Sequence, residues 1–88
     1  MSIHRCDFQS FFPAREDAYS HFTGAGAGAG YNINMAWQTD GTRGREPGSI
    51  DYKYACDEVL LPIAKEFKPD LILISCGFDS AIHDQLGG

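Results

Sequence analysis

The clearest pattern along the chain is the alternation from Tyr31 to Trp37. Tyr31, Ile33, Met35 and Trp37 fall on one side, and Asn32, Asn34 and Ala36 on the other. Period two over this length predicts a half-buried strand. Further on, Tyr52, Cys56, Val59, Leu60, Ile63 and Phe67 recur at spacings of three and four, which draws one apolar face of a helix. Ser49 is a candidate cap for it, and Asp51 suits the positive end of its first turn. Pro62 lies inside this helix. It removes one backbone hydrogen bond and predicts a kink near Glu58. Lys68-Pro69-Asp70 ends the helix. Leu71-Ile72-Leu73-Ile74 follows as an unbroken apolar run between Pro69 and Gly77, the pattern of a parallel strand covered on both faces.

Ser2–Arg5 is short and reads as the end of a strand that starts without a cap or turn before it. Cys6–Gly30 is long, irregular and rich in Phe, Gly and Ala, and Pro13 excludes a central strand position. A connection of this length is uncommon in a compact domain and is usually functional. Gln38–Gly48 is a second connection, carrying Asp-Gly and a proline. Strand, connection, helix, strand makes a βαβ unit with a right-handed crossover. One helix leaves a sheet face bare. The pattern therefore asks for more strands and helices than 88 residues supply.

Composition narrows the function classes. The chain is 43% hydrophobic and 22% charged, which is ordinary for a folded protein and excludes overall disorder. A net charge of −5, with seven scattered basic residues, excludes a nucleic-acid surface. No apolar run approaches the roughly 18 residues of a membrane span, and Met1–Ser10 lacks the apolar region of a signal peptide. Three distant cysteines, Cys6, Cys56 and Cys76, suit reduced thiols in the nucleus or cytoplasm better than a disulfide framework.

Candidate chemistry concentrates in Ser75-Cys76-Gly77-Phe78-Asp79, just past the apolar run. Sites in parallel α/β sheets form beyond the carboxyl ends of strands. From there Asp79 could bind a metal, orient a histidine, or simply cap a following helix. Gly24 to Gly30 alternates Gly and Ala but has neither the G-x-G-x-x-G spacing nor a Gly-Lys-Ser/Thr. It predicts a close backbone approach or flexibility rather than a phosphate loop. His4, His21 and His83 show no ligand spacing and read as surface or supporting positions. No G-x-S-x-G elbow is present, so nucleophilic catalysis lacks support. Phe11 and Phe12, before Pro13, fit either a core or the wall of a substrate channel.

Taken in order, these segments resemble the zinc-dependent histone deacetylase family, most closely its class II branch. The residues that carry the likeness are Ser2-Ile3-His4-Arg5, Phe11-Phe12-Pro13, the glycine-alternating stretch into Tyr31-Asn32-Ile33-Asn34-Met35-Ala36-Trp37, and Asp51-Tyr52. Leu61-Pro62-Ile63-Ala64, Glu66-Phe67, Pro69-Asp70, Gly77-Phe78-Asp79 and Leu86-Gly87-Gly88 continue it. The resemblance implies an open, mainly parallel three-layer α/β/α sheet of the arginase/deacetylase kind. It implies hydrolysis of N-ε-acetyl-lysine in histones or other proteins, with Zn²⁺ polarising the acetyl carbonyl and activating water. In that family Asp, His and Asp hold the zinc, and Asp79 falls on the second aspartate. Phe12 falls on a wall of the acetyl-lysine tunnel and Leu86 near its floor. Ser2, the Ile3 carbonyl and Tyr31 fall on contacts to a structural K⁺.

In the family, the other zinc ligands and the paired histidines come before the position of Met1, and the oxyanion-site tyrosine after that of Gly88. The resemblance thus makes residues 1–88 a partial catalytic domain, inactive alone and without a complete catalytic set. Cys6 where Tyr is common, Ala14 after the proline, and Ile82-His83-Asp84-Gln85 beside Asp79 depart from the family pattern. The implied partners are acetylated lysines and corepressor proteins, with no direct nucleic acid and no membrane. The implied setting is the nucleus or cytoplasm, in chromatin regulation and transcription repression. Two alternatives stand beside this reading: an acetylpolyamine or acetoin-utilisation-type amidohydrolase, and a truncated, non-catalytic binding partner.

Overall fold

A computed structural model describes residues 1–7, 10–39, 46–79 and 81–86. Residues 40–45 of the second predicted connection, and Gly87 and Gly88 of the family pattern, lie outside the described residues. Strand β1 (Ser2–Arg5) pairs in parallel with β2 (Asn34–Trp37), with Ser2 opposite Asn34 and Arg5 opposite Trp37. The ladder is extended at both ends, by Ser2 N–H donating to the Ile33 carbonyl and Cys6 N–H donating to that of Trp37, each at 2.8 Å.

The alternation of β2 is real but shorter than the predicted Tyr31–Trp37. Tyr31 N–H and Asn32 N–H donate back to Gly28 and Thr23 carbonyls, so the first residues of the run belong to the loop before it. The Asn34 side chain is buried and donates to the Asp17 and Tyr19 carbonyls at 2.8 and 3.0 Å. Met35 and Trp37 line an apolar cavity together with Ile50, Tyr54 and Val59. β2 therefore has the long connection against one face and the helix against the other.

The helix comprises α1 (Ser49–Ala55), a widened turn at Cys56–Leu60, and α2 (Leu61–Phe67). Gly48, not Ser49, occupies the cap position. Its N–H donates to the Asp51 carboxylate at 2.8 Å and its carbonyl accepts from Tyr52 N–H, so Ser49 is already the first helical residue. Pro62 acts as expected from its missing N–H. The turn around Glu58 opens to a π-type turn, with Leu61 N–H donating to the Cys56 carbonyl. Lys68, at φ 52°, closes the helix in the left-handed region and donates to the Ala64 carbonyl. The helix runs antiparallel to β2. Tyr52 near its start meets Trp37 edge-on at 6.1 Å, and Phe67 at its end meets Tyr31 at 6.2 Å. That direction returns the chain to the leading end of the sheet, as a βαβ crossover requires.

The third predicted strand does not form. Leu71, Ile72, Leu73 and Ile74 are 74%, 65%, 86% and 78% exposed, and no strand is assigned there among the described residues. The physical reason is visible in the rest of the fold. An apolar run of this kind is stabilised only when sheet neighbours and covering helices take up both its faces. The two described strands and one helix supply neither.

Candidate strand-end site and its aromatic tip

The connection after β1 is organised by donors from the sheet. His4 Nε2 lies 2.7 Å from the Ala18 carbonyl, and its Nδ1 lies 2.8 Å from Ser2 Oγ. An Nε2–H tautomer satisfies both contacts, with the Ser2 hydroxyl donating to Nδ1. Asn32 donates to the Phe22 carbonyl at 2.9 Å. Gly24 shows why this stretch needs glycine. It sits at φ 113°, and a Cβ there would lie 2.1 Å from the Gly28 carbonyl oxygen. The close backbone approach expected from the Gly-Ala alternation is thus present.

Asp7 and Thr39 lock the far end of the sheet. They are 3% and 2% exposed and follow β1 and β2 respectively. The Asp7 carboxylate accepts Thr39 N–H at 2.6 Å and the Thr39 hydroxyl at 2.8 and 3.0 Å, and it pairs with Arg5 Nε. Burial alone would raise this carboxyl. The Thr39 donors and the Arg5 charge outweigh it and hold the group below its ordinary value. The Asp7 carbonyl, at φ 41°, accepts both Ser10 N–H at 2.9 Å and Ser10 Oγ at 2.6 Å. Arg5 then lies over Phe11, with Cζ 4.2 Å from the ring centre. Sequence reading missed this cluster. Nothing in the spacing of Asp7 and Thr39 marks them as partners, and only the parallel register brings them together.

The residues expected at a site are placed as follows. Phe12 projects from the tip after Phe11 and is 84% exposed. Its peptide bond to Pro13 is cis, and Ala14 N–H returns to the Phe11 carbonyl at 2.7 Å. Phe12 is exposed and Phe11 half-buried among the described residues, so both readings held for the pair stay open. Asp79 sits on an exposed turn, its Oδ1 3.3 Å from where a Cβ on Gly77 would be. Leu86 is 83% exposed, and its N–H donates to the Asp84 carboxylate at 2.8 Å. Asp84 is thereby a turn residue. Ser2 and Ile3 begin β1, and Tyr31 lies just before β2, at the leading end of the sheet. Among the described residues, no hydrogen bond, ion pair or ring contact joins Asp79 to Phe12, Leu86, Ser2 or Tyr31. Among the described residues, no group of three or more His, Cys, Asp or Glu is placed to hold a metal ion. The described residues do not by themselves make a zinc site. Ser2 Oγ keeps lone pairs free while it donates to His4, which is compatible with a cation contact.

Comparison with known proteins accounts for this architecture. Histone deacetylase 18 of Arabidopsis thaliana is 46% identical over 87 residues, which is 99% of this chain and 12% of that protein. Histone deacetylase HDA1 of Saccharomyces cerevisiae is 37% identical over the same shares. Polyamine deacetylase HDAC10 of Danio rerio is 43% identical over 86 residues, 98% of this chain and 12% of that protein. The crystal structure of the HDA15 HD domain superposes with a TM-score of 0.83 at 36% identity, covering 97% of this chain and 22% of that one. It has the arginase/deacetylase fold, and the parallel pair and helix seen here are part of that α/β architecture. This chain thus spans about an eighth of the curated relatives. The family described as the histone deacetylase domain matches residues 1–88, and the chain belongs to the histone deacetylase family.

Proposed function

We propose that residues 1–88 form one stretch of the catalytic domain of a zinc-dependent lysine deacetylase of the class II kind. The observation that carries this reading is the family match along the whole chain, set beside an exposed aromatic tip and the carboxylate of Asp79 on an exposed turn. Phe12 would wall the channel that grips the aliphatic stem of an acetyl-lysine, with Leu86 near its floor. Asp79 would supply one zinc ligand. The remaining ligands and the proton-transfer groups would come from parts of the domain outside these residues. Ser2, the Ile3 carbonyl and Tyr31 would contact K⁺ at the leading end of the sheet. The substrates would be acetylated histone or non-histone proteins in the nucleus or cytoplasm, with corepressor proteins as partners in transcription repression. A second reading has specific support, since one relative at 43% identity is named a polyamine deacetylase.

The test uses the full-length domain carrying this segment, with metal analysis and kinetics on an acetyl-lysine peptide and on acetylspermidine. Phe12→Ala should raise KM for the peptide roughly tenfold with zinc content unchanged, because it removes binding to the stem. Asp79→Asn keeps the size but removes the ligand's charge. It should lower turnover by more than about a hundredfold, beyond what loss of a supporting residue costs, and lower metal content with it. Asp84→Asn should do far less, because Asp84 serves its own turn. Full activity in the Asp79→Asn enzyme would sink the reading. Preference for acetylspermidine over the peptide would favour the second one.

A further inference from the structure

We propose that Arg5 is a positioning residue for the Phe11–Phe12 tip, held by the buried Thr39–Asp7 clamp, and that it thereby sets how tightly the channel grips an acyl-lysine stem. The proposal rests on the reading of Phe12 as a channel wall and extends it to a group remote from the substrate. The chain of contacts is continuous. Thr39, 2% exposed, holds the Asp7 carboxylate through its N–H and hydroxyl. Asp7 holds the Nε edge of Arg5. The guanidinium plane, fixed along that edge, lies over Phe11 at 4.2 Å. Phe11 is half-buried and precedes the exposed Phe12 ring. A second attachment comes from the same residue, since the Asp7 carbonyl accepts both donors of Ser10 immediately before the tip.

Arginine is chemically specific to this place. A planar guanidinium can give one N–H to a carboxylate and still present a flat cationic face to an aromatic ring. A lysine would keep the charge beside Asp7 but have no plane to lay on Phe11. Part of the Arg5 side chain stays accessible, at 33%, while the Asp7 side chain is at 4%. The clamp is therefore the rigid base, and Arg5 is the strut between it and the tip.

The experiment compares Arg5→Lys, Phe11→Leu, the double variant and Phe12→Ala in the full-length domain, measuring kcat, KM and zinc content. Arg5→Lys should raise KM about threefold to tenfold, the span expected for losing one cation–π contact. kcat should stay within about twofold and zinc unchanged, a pattern that marks lost binding rather than lost chemistry. The double variant should be no worse than the poorer single one, because both remove the same contact. An unchanged KM in Arg5→Lys while Phe12→Ala raises it, or effects that multiply in the double variant, would overturn the proposal. If Phe12→Ala leaves KM unchanged, the channel reading fails, and a spectroscopic readout decides the Arg5 role separately. The Arg5 δ-methylene protons should be shifted upfield by the Phe11 ring, and Phe11→Leu should abolish the shift. The Arg5 Nε–H should be protected from exchange, and Asp7→Asn should expose it. Absence of either signature refutes the strut.

Discussion

Asp7 combines burial, charge and a positive φ in one residue, and its titration makes a prediction with a definite sign. Its native value is lowered. An unfolded aspartate titrates near 3.9, so the clamp contributes its full stability above about that pH. The contribution is lost as the pH falls through the lower native value. Asp7→Asn should cost the full-length domain about 1–3 kcal/mol at pH 7, the penalty for breaking a buried hydrogen-bonded charge. Urea midpoints of variant and parent should converge as the pH drops below about 3.9, and a constant gap down to pH 2 would contradict this. Ala14 shows the opposite situation, a family departure that the backbone makes legible. It sits at φ 55°, where a Cβ costs about 1–2 kcal/mol and glycine costs nothing. Phe12 and Asp79 are singled out by the family pattern alone. Asp7 and Thr39 are not, because a pairing across 32 residues leaves no local periodicity.

Among the elements, legibility followed how locally each is stabilised. β2 and the helix carry their own period, and both form. Pro62 announced a disturbance in the helix, although only the structure shows that it is met by a widened turn at Cys56–Leu60. The Leu71–Ile74 run has the strongest strand composition and forms no strand, since a strand exists only through its neighbours. The loop before β2 reads as irregular because its order comes from His4 and Asn34 on the sheet and from Asn32 within the loop. Its glycines are not equivalent. Gly24→Ala would drive a Cβ into the Gly28 carbonyl at 2.1 Å, whereas a Cβ on Gly26, at φ 55°, meets nothing within 4 Å. In the full-length domain, Gly24→Ala should destabilise by more than about 2 kcal/mol, and Gly26→Ala by about 1–2 kcal/mol. Thermal melts would measure the difference, and equal losses would show that the close approach does not govern this loop.

Over the whole molecule, the accessible surface is 7173 Å². A folded monomer of 9.7 kDa exposes about 5,100 Å², leaving an excess of roughly 2,000 Å². Among the described residues no large side chain is fully buried, and Leu71 to Ile74, Phe78, Ile82 and Leu86 are all exposed. The 88-residue chain alone should therefore melt gradually, bind hydrophobic dyes and aggregate. A sharp cooperative transition of a monomer, followed by circular dichroism and sedimentation, would contradict that. The Asp7–Thr39 contact has a further consequence at this scale. With the β1–β2 ladder it closes residues 7 to 39 into a ring without a covalent link. A disulfide of that span would be opened by a reductant, whereas this ring of hydrogen bonds is not. A hydrogen-bonded ring behaves as a noncovalent hasp. A backbone cut beside the exposed Arg15 should therefore leave the two strands latched in register through their ladder and the clamp.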